Sequence, residues 1–250
     1  MINLGGNKIS ELKLRSNQTL LSKNKYYFYY HLKLEKNKNF LLPKDVNFTI
    51  YVLNCGLKTS IKLDNKVISI NKNICLYFKK YHKIESLNGD AEILIVGKKI
   101  KNNKNFYLKK KISKFYKVNK PWGSELWINS INNDFVFKKI FLKKGFQTSL
   151  QFHNYKEEAN LIFEGKAKFF YKKDKKINNL KVKVKDLGFL KIKRKTIINI
   201  SPKILHRIKA ITNLVMYEAS SVHLKDVVRV LDDSKRLSGH IANEHIKKSK

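Results

Sequence analysis

Gly145-Phe146-Gln147-Thr148-Ser149-Leu150-Gln151-Phe152-His153-Asn154-Tyr155-Lys156-Glu157-Glu158-Ala159-Asn160-Leu161-Ile162-Phe163-Glu164-Gly165 reads as G-x5-Q-x-H-x4-E-x6-G. Gln151 and His153 are two residues apart, so on a β-strand their side chains leave the same face. Glu158 lies beyond a short turn and can swing back toward them. Three metal-capable groups then converge, and His206 supplies a fourth at the end of Ser201-Pro202-Lys203-Ile204-Leu205-His206-Arg207. Glu157 would face the opposite side of an extended chain, so Glu158 is the expected ligand.

Working outward, strand signals dominate. Ser60-Ile61-Lys62-Leu63, Asp64-Asn65 and Lys66-Val67-Ile68-Ser69-Ile70 read as a hairpin around a two-residue turn. Leu180 to Lys185 alternates apolar and charged residues, as a half-buried strand does. Tyr26 to Leu34 and Phe135 to Leu142 are rich in aromatic and β-branched residues. The best helical candidate is the short segment Val222 to Leu231. The expected fold class is therefore all-β, with few and short helices.

The segment Lys98 to Lys120 is rich in Lys and Asn, and it separates two halves of similar texture. Tyr77-Phe78-Lys79-Lys80-Tyr81-His82-Lys83-Ile84 can be laid on Ser201 to Ile208, matching His82 to His206. Val52 to Gly56 likewise resembles Leu161 to Gly165, which points to an internal duplication. The first half has no Gln-x-His and no glutamate at the matching distance, and His82 by itself cannot hold a metal. Four segments are expected: a β domain without a site (1–97), a linker (98–117), a metal-binding domain (118–236) and a basic tail (237–250).

The motif, the repeated strands and the later His206 together resemble the cupin superfamily, which implies two antiparallel jelly-roll barrels in tandem. The family's first motif usually has His where Gln151 stands, and the turn glycine of its second motif is replaced by Lys203. Residues 119 to 236 show a narrower likeness. Lys120-Pro121-Trp122-Gly123, Thr148 to His153, His206-Arg207, and Leu224 to Asp233 occur in order, as in the cupin domain of type II mannose-6-phosphate isomerases and related sugar-phosphate cupins. That resemblance implies one divalent metal held by Gln151, His153, Glu158 and His206. It also implies a sugar-phosphate or sugar-nucleotide substrate and aldose–ketose isomerisation. The nucleotidyltransferase domain of bifunctional relatives is absent from the chain, so no guanylyltransferase activity is expected.

Two imidazoles and a carboxylate suit Zn, Fe, Mn or Ni, and a weak Gln oxygen leaves coordination positions open for substrate. Lys120 and Trp122 are candidate substrate-binding residues, a cation for an anionic group and an apolar platform for a sugar face. Arg207 and Glu218 are the candidate catalytic residues, Glu218 as a proton carrier inside the barrel. The same two-His, one-carboxylate set also serves non-haem Fe(II) oxygenases, and a non-catalytic sugar-binding or regulatory cupin is the other alternative.

The net charge of +35 invites a nucleic-acid partner, but only five of the 54 basic residues are arginine, the favoured reader of phosphate and guanine. Lysine is spread along every segment, so no specific nucleic-acid partner is expected. Cys55 and Cys75 form no spaced motif and read as free thiols. The start carries no signal-peptide pattern, and no apolar run approaches the roughly 18 residues of a membrane span. A cytoplasmic protein is expected, with no membrane partner. Barrel edges and the first domain could both serve a homodimer, which no residue pattern specifies.

Overall fold

In the computed structural model, residues 2–4, 7–11, 17–79, 81–99, 109–129, 134–172, 182, 185, 187–239 and 241 are described. They contain no α-helix, and none is long and apolar enough to cross a membrane. The chain divides into two compact units. One comprises Lys13–Phe115 and Ile128–Phe137, the other Met1–Leu12, Tyr116–Trp127 and Lys138–Lys250.

The amino-terminal unit holds β3 (Gln18–Lys23), β4 (Phe28–Leu34), β5 (Asn39–Leu41), β6 (Val46–Cys55), β7 (Ser60–Leu63), β8 (Lys66–Ser69), β9 (Cys75–Lys79), β10 (Lys83–Ser86), β11 (Ala91–Lys99) and β12 (Lys109–Ile112). They form two antiparallel sheets, in the orders β12-β9-β6-β11-β4-β3 and β5-β10-β7-β8. β6 lies inside its sheet and its first eight residues are all buried, the polar Asn47 and Thr49 among them. Leu32, Phe48, Ile50, Ile61, Phe78 and Ile93 fill the space between the sheets. The hairpin at Asp64-Asn65 forms as read, Leu63 opposite Lys66.

The carboxy-terminal unit holds β1 (Ile2–Leu4), β2 (Asn7–Glu11), β13 (Tyr116–Lys120), β14 (Gly123–Trp127), β15 (Val136–Leu142), β16 (Leu150–His153), β17 (Glu158–Glu164), β18 (Lys166–Tyr171), β19 (Gly188–Lys193), β20 (Thr196–Ile200), β21 (His206–Ala210), β22 (Leu214–Ser220) and β23 (Val227–Leu231). Val136 and Phe137, the start of β15, group with the amino-terminal unit. Its sheets run β1-β2-β20-β17-β22-β15-β14-β13 and β19-β18-β21-β16-β23. Leu142, Ile162, Phe169, Ile198, Ile208 and Met216 form its core.

The strand orders carry the duplication. β9-β6-β11-β4 and β8-β7-β10-β5 in one unit become β20-β17-β22-β15 and β19-β18-β21-β16 in the other, each strand displaced by eleven. His82 immediately precedes β10 and His206 opens the equivalent strand β21, and Gly56 and Gly165 directly follow β6 and β17. The glycine at 165 is required by geometry. It sits at φ 90°, and a Cβ there would lie 2.2 Å from the Asn213 carbonyl oxygen.

Three sequence expectations are corrected. Residues 2–11 do not belong to the first domain, because β2 pairs with β20 of the other unit, Ile9 opposite Ile198. The expected linker contains a strand, β12, paired with β9. The helical candidate Val222 to Leu231 is instead a turn followed by the strand β23, Val227–Leu231, which pairs with β16. Its β-branched Val227, Val228 and Val230 favour a pleated strand once an edge is offered. The alternating Leu180–Lys185 segment lies mostly outside the described residues.

Candidate metal centre

β16 and β21 lie side by side, and Gln151 is directly opposite His206. His153 follows on the same face of β16 as Gln151. The turn after it is built on Asp226, whose carboxylate accepts the backbone N–H groups of Asn154, Tyr155 and Lys156 at 3.0, 2.5 and 3.0 Å. Burial by itself would raise the Asp226 carboxyl, but these three donors outweigh it and hold it below its ordinary value. The turn delivers Glu158 as the first residue of β17, with its side chain back over the histidines. Lys203, at the family's glycine position, takes φ 62°, and its N–H donates to the His153 carbonyl.

His206 Nε2 lies 3.2 Å from Glu158 Oε1, and His153 Nε2 lies 3.8 Å from Glu158 Oε2. One ligand atom from each residue falls within 4.8 Å of the others, and all three residues are buried. Both Nδ1 atoms face backbone oxygens, His153 that of Asp226 at 3.1 Å and His206 that of Ile204 at 2.9 Å. Each Nδ1 therefore carries the proton, and each Nε2 presents a lone pair to the carboxylate. Acceptors this close need a positive charge between them. Ligands bound about 2.1 Å from one ion in tetrahedral geometry stand roughly 3.4 Å apart, so the three donors fit a divalent metal.

His153 is kept neutral in the metal-free protein, as a metal ligand must be. Burial, then the Lys156 charge, pushes its imidazole down to about 4. Between that value and the ordinary 6.5 the folded chain binds fewer protons than the unfolded one, so stability falls as pH falls through this window. The difference corresponds to about 3 kcal/mol. Urea unfolding of metal-free protein at pH 7, 5.5 and 4 is expected to show that loss, while a flat profile would contradict the buried neutral imidazole.

Gln151 stands beside the cluster but is turned the wrong way for a ligand. Its Oε1 accepts from Ser149 Oγ at 2.6 Å, and its Nε2 faces His153 Nε2 at 3.4 Å. Rotation of the carboxamide would exchange the two atoms, the Ser149 hydroxyl then accepting. As folded, three ligands are offered.

Lys156, which the sequence reading passed over, is the strongest charge in the site. Its Nζ donates to Glu158 Oε2 at 2.6 Å and to Glu218 Oε1 at 2.8 Å, with all three side chains buried. Burial by itself would lower the ammonium, but the two carboxylates outweigh it and raise it. Burial would likewise raise Glu158, yet the Lys156 ammonium outweighs it and holds the carboxyl well below the usual carboxylate range. Glu218 is held low by Lys156 and Lys138 against the same burial penalty, and Ser220 Oγ also donates to it at 2.8 Å.

These residues line a cavity of about 130 Å³ in the carboxy-terminal unit. Lys120, Trp122 and Glu218 also line it. Of Tyr217 and Glu218 on β22, the glutamate faces inward, and Tyr217 packs on Phe163 with ring centroids 5.4 Å apart. Arg207 does not reach the cavity. Its neighbours His206 and Ile208 face in, so alternation turns Arg207 out, where its Nη2 donates to the Leu231 carbonyl at 2.9 Å and lies 3.4 Å from Asp233. It is an anchor for the end of β23 and not a catalytic group.

The amino-terminal unit has different residues at the equivalent ladder positions. Glu158 stands opposite Ser220, and in the register that matches Asn160–Glu218 to Ile50–Ile95 the equivalent pair on β6 and β11 is Phe48 and Gly97. Glu218 corresponds to Ile95, and the exposed His82 lies 3.3 Å from Asp64.

The sequence matches no family model and no curated protein. Solved structures do match. Protein YlbA of E. coli superposes with a TM-score of 0.61 at 12% identity, covering 89% of this chain and 94% of that one. GK1651 of Geobacillus kaustophilus gives 0.62 at 8%, covering 90% and 96%. Oxalate decarboxylase of Bacillus subtilis gives 0.59 at 9%, covering 88% and 76%. Likenesses at such identity show the fold, and the neighbours are cupin-fold proteins. The chain is built as two cupin-like jelly-roll barrels, and the second carries a metal-competent cluster of two histidines and a glutamate.

Proposed function

We propose that this chain is a metal-dependent cupin enzyme that acts on a phosphorylated or nucleotide-linked sugar and that, on an aldose phosphate with a free anomeric carbon, it converts aldose to ketose in the manner of mannose-6-phosphate isomerases. The observation that carries the reading is the wall of one cavity. His153, Glu158 and His206 gather on it, and Glu218 adds an ionised carboxylate that the three-residue cluster does not use. A divalent ion held by His153 Nε2, His206 Nε2 and Glu158 would supply Lewis-acid polarisation of a carbonyl and its neighbouring hydroxyl. Glu218, ionised at neutral pH, takes the proton from the carbon beside the carbonyl of an open-chain aldose phosphate and returns it to the former carbonyl carbon. The hydroxyl proton of the deprotonated carbon passes to the former carbonyl oxygen, leaving the ketose. Lys156 keeps Glu218 charged and in place. Lys120 offers a cation to the phosphate, and Trp122 an apolar face to the sugar.

The test is a mannose 6-phosphate isomerase assay on metal-loaded wild type and Glu218→Gln. The variant is expected to keep its metal and lose about 10²–10⁴-fold in rate. Metal-loaded wild type without turnover would discard the isomerase reading. One observation favours a second reading: with the Gln151 oxygen taken by Ser149, the ligand set is the two-His, one-carboxylate triad of Fe(II) oxygenases. Oxygen uptake with iron and none with zinc would select it. Saturable sugar binding without turnover under any metal would select a binding module.

A further inference from the structure

Asn160 lies two residues beyond Glu158 on β17, so both side chains leave the same face of the sheet. It is 2% exposed and lines the cavity. Its Oδ1 is buried and has no hydrogen-bond partner. Such an atom costs free energy unless something in the cavity satisfies it. The register sets what that something is. Asn160 stands directly opposite Glu218, whose Oε1 is already held by Lys156 and Ser220. An amide oxygen beside an ionised carboxylate repels a phosphate or carboxylate group and accepts only from a donor. A hydroxyl is the donor that suits both neighbours, since it can also accept from the amide nitrogen.

We infer that Asn160, with Glu218 beside it, forms a hydroxyl-binding subsite for a polyol ligand, separate from the cations that would take its anionic group. The inference rests on the reading of this cavity as a sugar site and assigns the hydroxyl-bearing carbons to the β17–β22 wall.

The experiment is calorimetric titration of the zinc-loaded wild type, Asn160→Ala and Asn160→Leu with mannose 6-phosphate and, separately, inorganic phosphate. Both variants are expected to keep their zinc, to bind the sugar phosphate about tenfold more weakly, and to bind phosphate unchanged. The melting temperature of ligand-free Asn160→Leu should be unchanged or higher, because an unsatisfied acceptor has been removed. Unaltered sugar-phosphate affinity, or a melting temperature lowered by more than about 4 °C, would overturn the subsite. Binding that depends on Asn160 without turnover would discard the isomerase and retain the subsite. Should wild type bind phosphate but no sugar, the sugar reading is lost, and the melting comparison decides whether Asn160 is a structural group.

Discussion

Lys156→Met is expected to destabilise the metal-free protein by about 3–5 kcal/mol, the usual loss when one partner of a buried ion cluster is removed. The substitution nearly preserves volume, so the loss is electrostatic. Glu158 and Glu218, both buried and both held ionised by this ammonium, would be left side by side without compensation. Thermal unfolding should fall by on the order of 10 °C. Two further results follow from the same geometry. Adding Glu218→Gln should recover part of the loss, because one of the two stranded charges is gone. Loading with zinc should narrow the gap between variant and wild type, because a dication compensates Glu158 where the ammonium no longer does. A loss below about 1 kcal/mol would mean that solvent reaches the cluster.

His206→Ala is expected to lower the affinity for a divalent metal by at least about 100-fold. Removing outer partners of metal ligands typically costs 10–100-fold, and His206 is a direct donor in this arrangement. The metal-free variant should keep its β-sheet circular dichroism, because β21 is also fixed by its ladders to β16 and β18 and by core residues such as Ile208. Arg207→Met serves as the control. It removes the contacts to Leu231 and Asp233 on the outer face and should leave metal affinity unaltered.

Much of the site was legible because its spacing is dictated by strand geometry. A period of two placed Gln151 and His153 on one face and separated Glu158 from Glu157. Other residues were hidden for physical reasons. Lys156 carries no signal in a chain with 54 basic residues, since only the fold distinguishes a buried ammonium from a solvated one. Asn160 sits inside an apolar run as an ordinary strand residue, and its unsatisfied oxygen exists only in three dimensions. Asp226 binds a turn 70 residues away, a pairing that no local pattern encodes. Arg207 was misplaced because adjacency to His206 in sequence means opposite faces on a strand. The amide orientation of Gln151 depends on Ser149, which a ligand motif does not include.

At the level of the fold, strand texture and the repeated His and Gly positions point to a duplicated all-β chain, and the cupin resemblance adds the two barrels. Alternation names a strand's buried face but not its partner, and so β2 was assigned to the wrong unit. Val222 to Leu231 shows the opposite limit, where a short apolar pattern fits helix and strand alike until β16 supplies an edge.

The proposed function requires that His153, His206 and Glu158 together hold a single divalent ion. The most direct test is metal analysis with X-ray absorption spectroscopy of protein reloaded with zinc, beside His153→Ala. The expected result is one zinc per chain, with two imidazole nitrogens at about 2.0–2.1 Å in the wild type and a binding site lost in the variant. A wild type that takes up no stoichiometric metal, or a coordination shell without imidazole, would contradict it.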